Sequence, residues 1–315
     1  MVMKKIFYNF FFLVVAWCIV RETVGMYQEK ILDKKLEQEA NKIDSMLNDY
    51  FEYINQFNIF MGKQISRHGV NDLDFILSTF RNNVESNIIG NKIFSWSAYD
   101  WVDDQNYQLV NAKKGINKKD PPDMSIRNYS KTARDLPWSL QLDPPVTGDP
   151  SESWVMPAAT GILDKKGVYL GAVVVGIDIG LLENHLEERL NSGLSFVITN
   201  PDGGLILKSS SVPDNNWDKA QFDLKSKIIH DNTTKPISSR SLDFPVVVDK
   251  IVFKNLSYVQ KYPLIILTGY DQKLFDYEVA KIVNPAMVQL LFLLIYCNLW
   301  FFFKQNPLGK KRKKR

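Results

Sequence analysis

Residues 154–179 read WVMPAATGILDKKGVYLGAVVVGIDI, two extended apolar runs on either side of Asp164-Lys165-Lys166-Gly167. A Gly-bearing turn between runs rich in Val, Ile and Ala predicts an antiparallel hairpin, with strands at Trp154 to Gly161 and Val168 to Ile179. A helix is expected from about Leu181. The same arrangement recurs downstream, where strands at Leu194 to Thr199 and Leu205 to Lys208 flank Pro201-Asp202-Gly203-Gly204. Further strands are expected at Lys92 to Tyr99, Tyr107 to Asn111, Phe244 to Lys254, Leu256 to Gln260 and Leu264 to Gly269. Two α+β modules built on antiparallel sheets follow from this pattern, with no solenoid-length repeat.

Upstream, Tyr27 to about Arg67 holds no Pro and one Gly, and places Leu36, Ala40, Ile43, Leu47, Tyr50, Ile54, Phe57 and Met61 at alternating gaps of four and three. That register predicts a long amphipathic helix of about 60 Å. Its seam is expected to face a second copy of the chain near the membrane and the sheets farther out. A second helix is expected over Asp72 to Asn87.

Two apolar segments bracket the body. IFYNFFFLVVAWCIV, residues 6–20, follows Lys4 and Lys5 and has the layout of an uncleaved signal anchor. IVNPAMVQLLFLLIYCNLWFFF, residues 282–303, carries no formal charge and is long enough for a span. The 315 residues carry a net charge of +4, with +2 in residues 1–22, +7 in residues 304–315 and −5 in between. Basic tips beside apolar runs predict cytoplasmic termini and an exported body. An acidic body excludes a nucleic-acid surface there. Cys18 and Cys297 both fall in the apolar segments, so the body has no disulfide framework. The expected order is an anchor at 1–25, a stalk helix at 26–70, a distal module at 71–190, a proximal module at 191–280, a span at 281–303 and a basic tail at 304–315.

No phosphate loop, dinucleotide fingerprint or nucleophile elbow occurs, and His68, His185 and His230 stand in unrelated contexts. Neither a catalytic residue, a metal site nor a cofactor is therefore expected. What remains is a set suited to a small zwitterion: Trp96, Tyr99, Trp101, Arg127, Tyr129, Trp138, Trp154 and Asp178. A guanidinium fork binds a carboxylate, a carboxylate binds an ammonium, and aromatic walls close on the apolar remainder. Each has an ordinary structural alternative. Arg127 could bridge to Asp123 or Asp178, Trp138 beside Pro137 could plug a core, and Asp178 could sit at an outward edge.

Residues 94–179, with FSWSAYDWVDD, SIRNYSKTA, DLPWSLQL and GVYLGAVVVGIDI, resemble the membrane-distal module of double Cache domains. These are PAS-like extracytoplasmic sensor domains of bacterial histidine kinases, diguanylate cyclases and chemoreceptors. The resemblance covers roughly residues 27–303 and implies a long helix followed by two PAS-like modules between two transmembrane helices in the inner membrane. It implies a non-enzymatic chain binding an amino acid, carboxylate or amine through Arg127, Tyr129 and Asp178, with Trp96, Tyr99 and Trp138 beside them. A homodimer through the long helix and a separate cytoplasmic or membrane kinase are the implied partners. Ile126 stands where relatives often have Asp, and Tyr129-Ser130 where amino-acid binders prefer Trp-Tyr. About twelve residues follow Phe303, so no kinase module is expected on this chain. The alternative expectation is a membrane-anchored interaction protein whose pocket is filled.

Overall fold

The computed structural model describes residues 2–69, 72–85, 94–103, 106–111, 115–117, 128–147, 154–190, 193–213, 240–259 and 261–305. Two compact units divide it: Leu36–Gly269, and the described parts of Met1–Lys35 and Tyr270–Arg315.

Helix α1 runs from Val2 to His68. Within the larger unit it buries Leu36, Ala40, Ile43, Leu47, Phe51, Ile54, Asn58, Met61 and Ile65. Up to Leu47 this is the expected seam. Beyond it the stripe moves one residue on, to Phe51 and Asn58, because a straight helix turns once in 3.6 residues and drifts from a 3.5-residue register. Tyr50 and Phe57 are accordingly only half-buried. From Leu36 outward the seam is filled by this chain's own strands, not by a partner helix.

Helix α2 spans Leu73–Glu85, α3 Asn128–Asp135 and α4 Ile179–Glu187. The first sheet comprises β1 (Phe94–Asp103), β2 (Asn106–Asn111), β3 (Gly115–Asn117), β4 (Leu140–Leu142), β5 (Val146–Thr147), β6 (Trp154–Leu163) and β7 (Tyr169–Asp178). Its order is β3-β2-β1-β7-β6-β4, with β5 also on β6. The β6–β7 hairpin turns where expected. Asp164 Oδ1 accepts from the Lys166 and Val168 amides at 2.8 and 2.7 Å, and Gly167 supplies φ of 82°.

A second sheet, ordered β10-β11-β12-β8-β9, holds β8 (Leu194–Thr199), β9 (Leu205–Lys208), β10 (Arg240–Val248), β11 (Ile251–Tyr258) and β12 (Ile265–Asp271). Both strands around the Pro201 turn lie where the sequence places them. The run Phe244 to Lys254 does not form one strand. It folds back at Asp249-Lys250, pairing Val248 with Ile251, and Asp249 takes φ of 55°, a left-handed conformation that Asp tolerates better than most residues.

Each sheet is two-faced. Toward α1, Met156, Ala158, Val175 and Ile177 of the first sheet and Phe196, Ile198 and Ile266 of the second join one continuous apolar cluster with α4. Away from α1, the second sheet carries a separate cluster centred on Phe253, Ile265 and Leu267.

In the smaller unit, α5 spans Gln272–Gln305 and contains Pro285. Among the described residues two helices are apolar and long enough to cross a membrane, Phe11–His68 and Gln272–Cys297. Phe11, Phe12 and Ile19 on one and Phe292, Leu293 and Tyr296 on the other are exposed.

Candidate functional site

The first sheet positions the expected ligand residues through strand alternation. On β7, Val173, Val175 and Ile177 point toward the helices, and Ala172 and Val174 lie on the other face. β6 alternates in register, Ala159 opposite Val174 and Thr160 opposite Val173. Small side chains at Ala159, Ala172 and Gly161 make a shallow floor on the face away from α1, and α3 seats on it. The approach is close enough that a Cβ at Gly161 would meet the Ala133 carbonyl oxygen at 2.0 Å.

Tyr129 and Ala133 are one turn apart on α3 and press onto this floor with Ala159, Ala172 and Val174. Tyr129 is 3% exposed. Asp178 ends β7, four residues beyond Val174, so alternation puts it on the same face as Tyr129. Its Oδ1 accepts the Leu181 amide at 3.0 Å and caps α4. The carboxylate within an apolar strand is thereby accounted for by a helix start.

Tyr99 and Trp138 do not gather there. Tyr99 pairs with Val173 and is fully buried on the helix-facing side, in a cluster with Met61, Ile65 and Phe80, its hydroxyl donating to the Leu170 carbonyl at 2.7 Å. Trp138 packs against the same cluster, near Gly62 and Ile162, and its amide donates to the Gly161 carbonyl at 2.9 Å. Its φ of 65° is a conformation that bulky residues rarely adopt. Tyr99 and Trp138 thus stand across the sheet from Tyr129 and Asp178, and these four do not form one pocket wall. Trp96 lies opposite Gly176, and Trp101 opposite Gln108. Trp154 is exposed at the start of β6. Arg127 lies outside the described residues.

Beneath the sheet, the helix-facing side carries a polar contact in its apolar layer. Asn58 Nδ2 donates to the Ala158 carbonyl and to Thr160 Oγ1, each at 3.2 Å, and Thr160 donates to Asn55 Oδ1 at 3.2 Å. Asn58 is fully buried, and its Oδ1 has no hydrogen-bond partner among the described residues. These bonds fix where α1 sits along β6, since a one-turn slip would leave buried polar groups unpaired. On α4, His185 stands edge-on to Tyr50 at 5.2 Å. Burial lowers its pKa from the usual 6.5; Arg189 lowers it further and Glu188 opposes. Among the described residues no group of His, Cys, Asp and Glu is arranged to hold a metal.

No family model matches the sequence, and no curated protein matches it by sequence. Solved structures do match by fold. The extracellular domain of soHK1S-Z6, assigned as a histidine kinase, aligns with TM-score 0.59 at 14% identity over 80% of this chain and 98% of its own. The sensory domain of the Campylobacter jejuni chemoreceptor Tlp3, with isoleucine bound, gives 0.56 at 10% over 81% and 98%. The ligand-binding domain of the Pseudomonas fluorescens chemoreceptor CtaA, in complex with L-serine, gives 0.55 at 16% over 78% and 99%. The fold implied by the double Cache resemblance is the fold found: an α+β body with a long N-terminal helix and antiparallel sheets, as in the extracellular sensory domains of histidine kinases and chemoreceptors.

Proposed function

We propose that this chain is the signal-input part of a two-pass inner-membrane sensor, with both termini in the cytoplasm and a small amino-acid-like ligand on the α3 face of the first sheet. The carrying observation is that Tyr129 and Asp178, from separate elements, share one face of a fold whose neighbours include domains holding isoleucine and serine. In this reading Arg127, just before α3, takes the ligand carboxylate and Asp178 takes its ammonium while capping α4. Tyr129 and Trp96 supply walls. Tyr99 and Trp138 act from across the sheet, bracing β1 and β6. Occupancy biases a pre-existing equilibrium between arrangements of α3 and α4.

The test is calorimetry and thermal shift on the full chain in detergent against amino acids, carboxylates and amines. Asp178→Asn keeps an oxygen for the helix cap but removes the charge. It and Arg127→Ala are expected to weaken binding about tenfold or more. Wild-type affinity in both variants refutes the site. A second reading, an anchored interaction protein with no ligand, is favoured by the near-complete burial of Tyr129. No binding by the wild type in the same screen selects it.

A further inference from the structure

A cavity of about 400 Å³ lies between α1 and α5, lined among others by Trp17, Arg21, Glu22, Asp276, Val279 and Asn284. Its chemistry is graded along both helices. On α1 the residue nearest the middle of the apolar run is Trp17, then come Arg21 and Glu22; on α5 Val279 separates Asp276 from the apolar run that begins at Ile282. Among the charged lining residues the two carboxylates therefore lie farthest along their helices from the apolar segments, with Gly25 and Phe275 beyond them; the guanidinium comes next, and apolar side chains follow. Arg21 is held over the Trp17 ring, its guanidinium carbon 5.2 Å from the ring centroid. Asp276 accepts from a neutral donor within its helix, Gln272 Nε2 at 3.2 Å, and Lys281 pairs with Glu278 at 3.9 Å.

We infer that this crevice binds the head group of a zwitterionic aminophospholipid of the outer leaflet. An ethanolamine head group presents the same sequence of groups: an ammonium outermost, a phosphate beneath it and acyl chains below. The ammonium, with three N–H donors, meets Glu22 and Asp276, the phosphate meets Arg21, and the first methylenes lie against Trp17 and Val279. An anionic head group would face two carboxylates. A choline head group brings no N–H donor to them. Membrane-embedded helices meeting such a lipid would couple their spacing to its occupancy.

The inference rests on the two-pass reading, and the experiment separates the two. The full chain is reconstituted in nanodiscs of phosphatidylglycerol mixed with equal fractions of phosphatidylethanolamine and phosphatidylcholine. Lipid retained after gentle release is identified by native mass spectrometry, and vesicle flotation is run in parallel. The wild type is expected to retain phosphatidylethanolamine about two- to fivefold over phosphatidylcholine. Glu22→Gln with Asp276→Asn is expected to erase that preference while flotation is unchanged, and Arg21→Gln to reduce retention of both. Equal retention by the wild type, a preference for phosphatidylglycerol, or a preference that survives the double substitution overturns the site. Cross-linking of two copies through Cys18 would put a second chain in the crevice and also overturn it. Failure to float would remove the membrane reading itself.

Discussion

Replacing Gly161 by Ala tests whether α3 is seated as described. A Cβ there would lie 2.0 Å from the Ala133 carbonyl oxygen, 2.7 Å from its carbonyl carbon and 3.2 Å from Tyr169 Cε2, whereas ordinary contact begins near 3.4 Å. The oxygen must therefore retreat by about 1.4 Å, and as backbone it cannot rotate away, so α3 has to lift. Two effects oppose. Removing a strand-interior Gly is favourable by about 0.5–1 kcal/mol, while overpacking a filled site costs about 1–3 kcal/mol. A clash with main chain belongs at the upper end of that range, so the expected net loss is about 1–2 kcal/mol, or about 2–8 °C in Tm. Hydrogen exchange followed by mass spectrometry should show residues 128–135 exchanging faster, and ligand binding should weaken because Tyr129 moves with the helix. An unchanged Tm with unaltered exchange in α3 would show that the helix does not rest on Gly161.

On the opposite face, a Cβ on Gly62 would come within 2.1 Å of Ile162 Cγ2 and 3.4 Å of Trp138 Cζ3. Gly62→Ala should lower Tm despite Ala's better helix propensity, and pairing it with Ile162→Ala, which removes the clashing carbon, should cost less than the sum of the two single changes. His185 has a folded-state pKa below its unfolded 6.5, so between those values the unfolded chain binds more protons and stability falls as pH falls. His185→Gln should flatten the dependence of chemical unfolding on pH below 6.5, and an identical slope in the variant would remove His185 as its cause.

Much of the fold could be read where local chemistry and tertiary packing agree. Strands β8 and β9 match their predicted bounds because Pro201-Asp202-Gly203-Gly204 separates two short apolar runs without ambiguity. The break at Asp249-Lys250 could not be seen, since it lacks glycine and relies on Asp249 accepting a left-handed backbone. Helix α3 was hidden for another reason: of NYSKTARD only Tyr129 and Ala133 are buried, a single i, i+4 pair too short to register as a period. For the site, residue types were legible and faces were not fully used. Val173 and Asp178 are five apart in one strand, an odd spacing that alternation puts on opposite faces, and Tyr99 follows Val173 through its register. Trp138 required the three-dimensional loop path, because nothing local says on which side of the sheet its ring will fall.

The apolar layer that α1 shares with both sheets bears on how this molecule comes apart. Part of that layer is common to the two sheets: stripping the helix away would uncover Met156 and Val175 of one together with Phe196 and Ile266 of the other, while Tyr99, Ile162 and Val173 of the first sheet pack on Met61 and Ile65 in a cluster of their own. Melting of the body is consequently expected to be a joint event wherever the two sheets rest on the same stretch of α1. One unbroken helix, Val2–His68, lies under both sheets, so a shift of that rod would be felt by each.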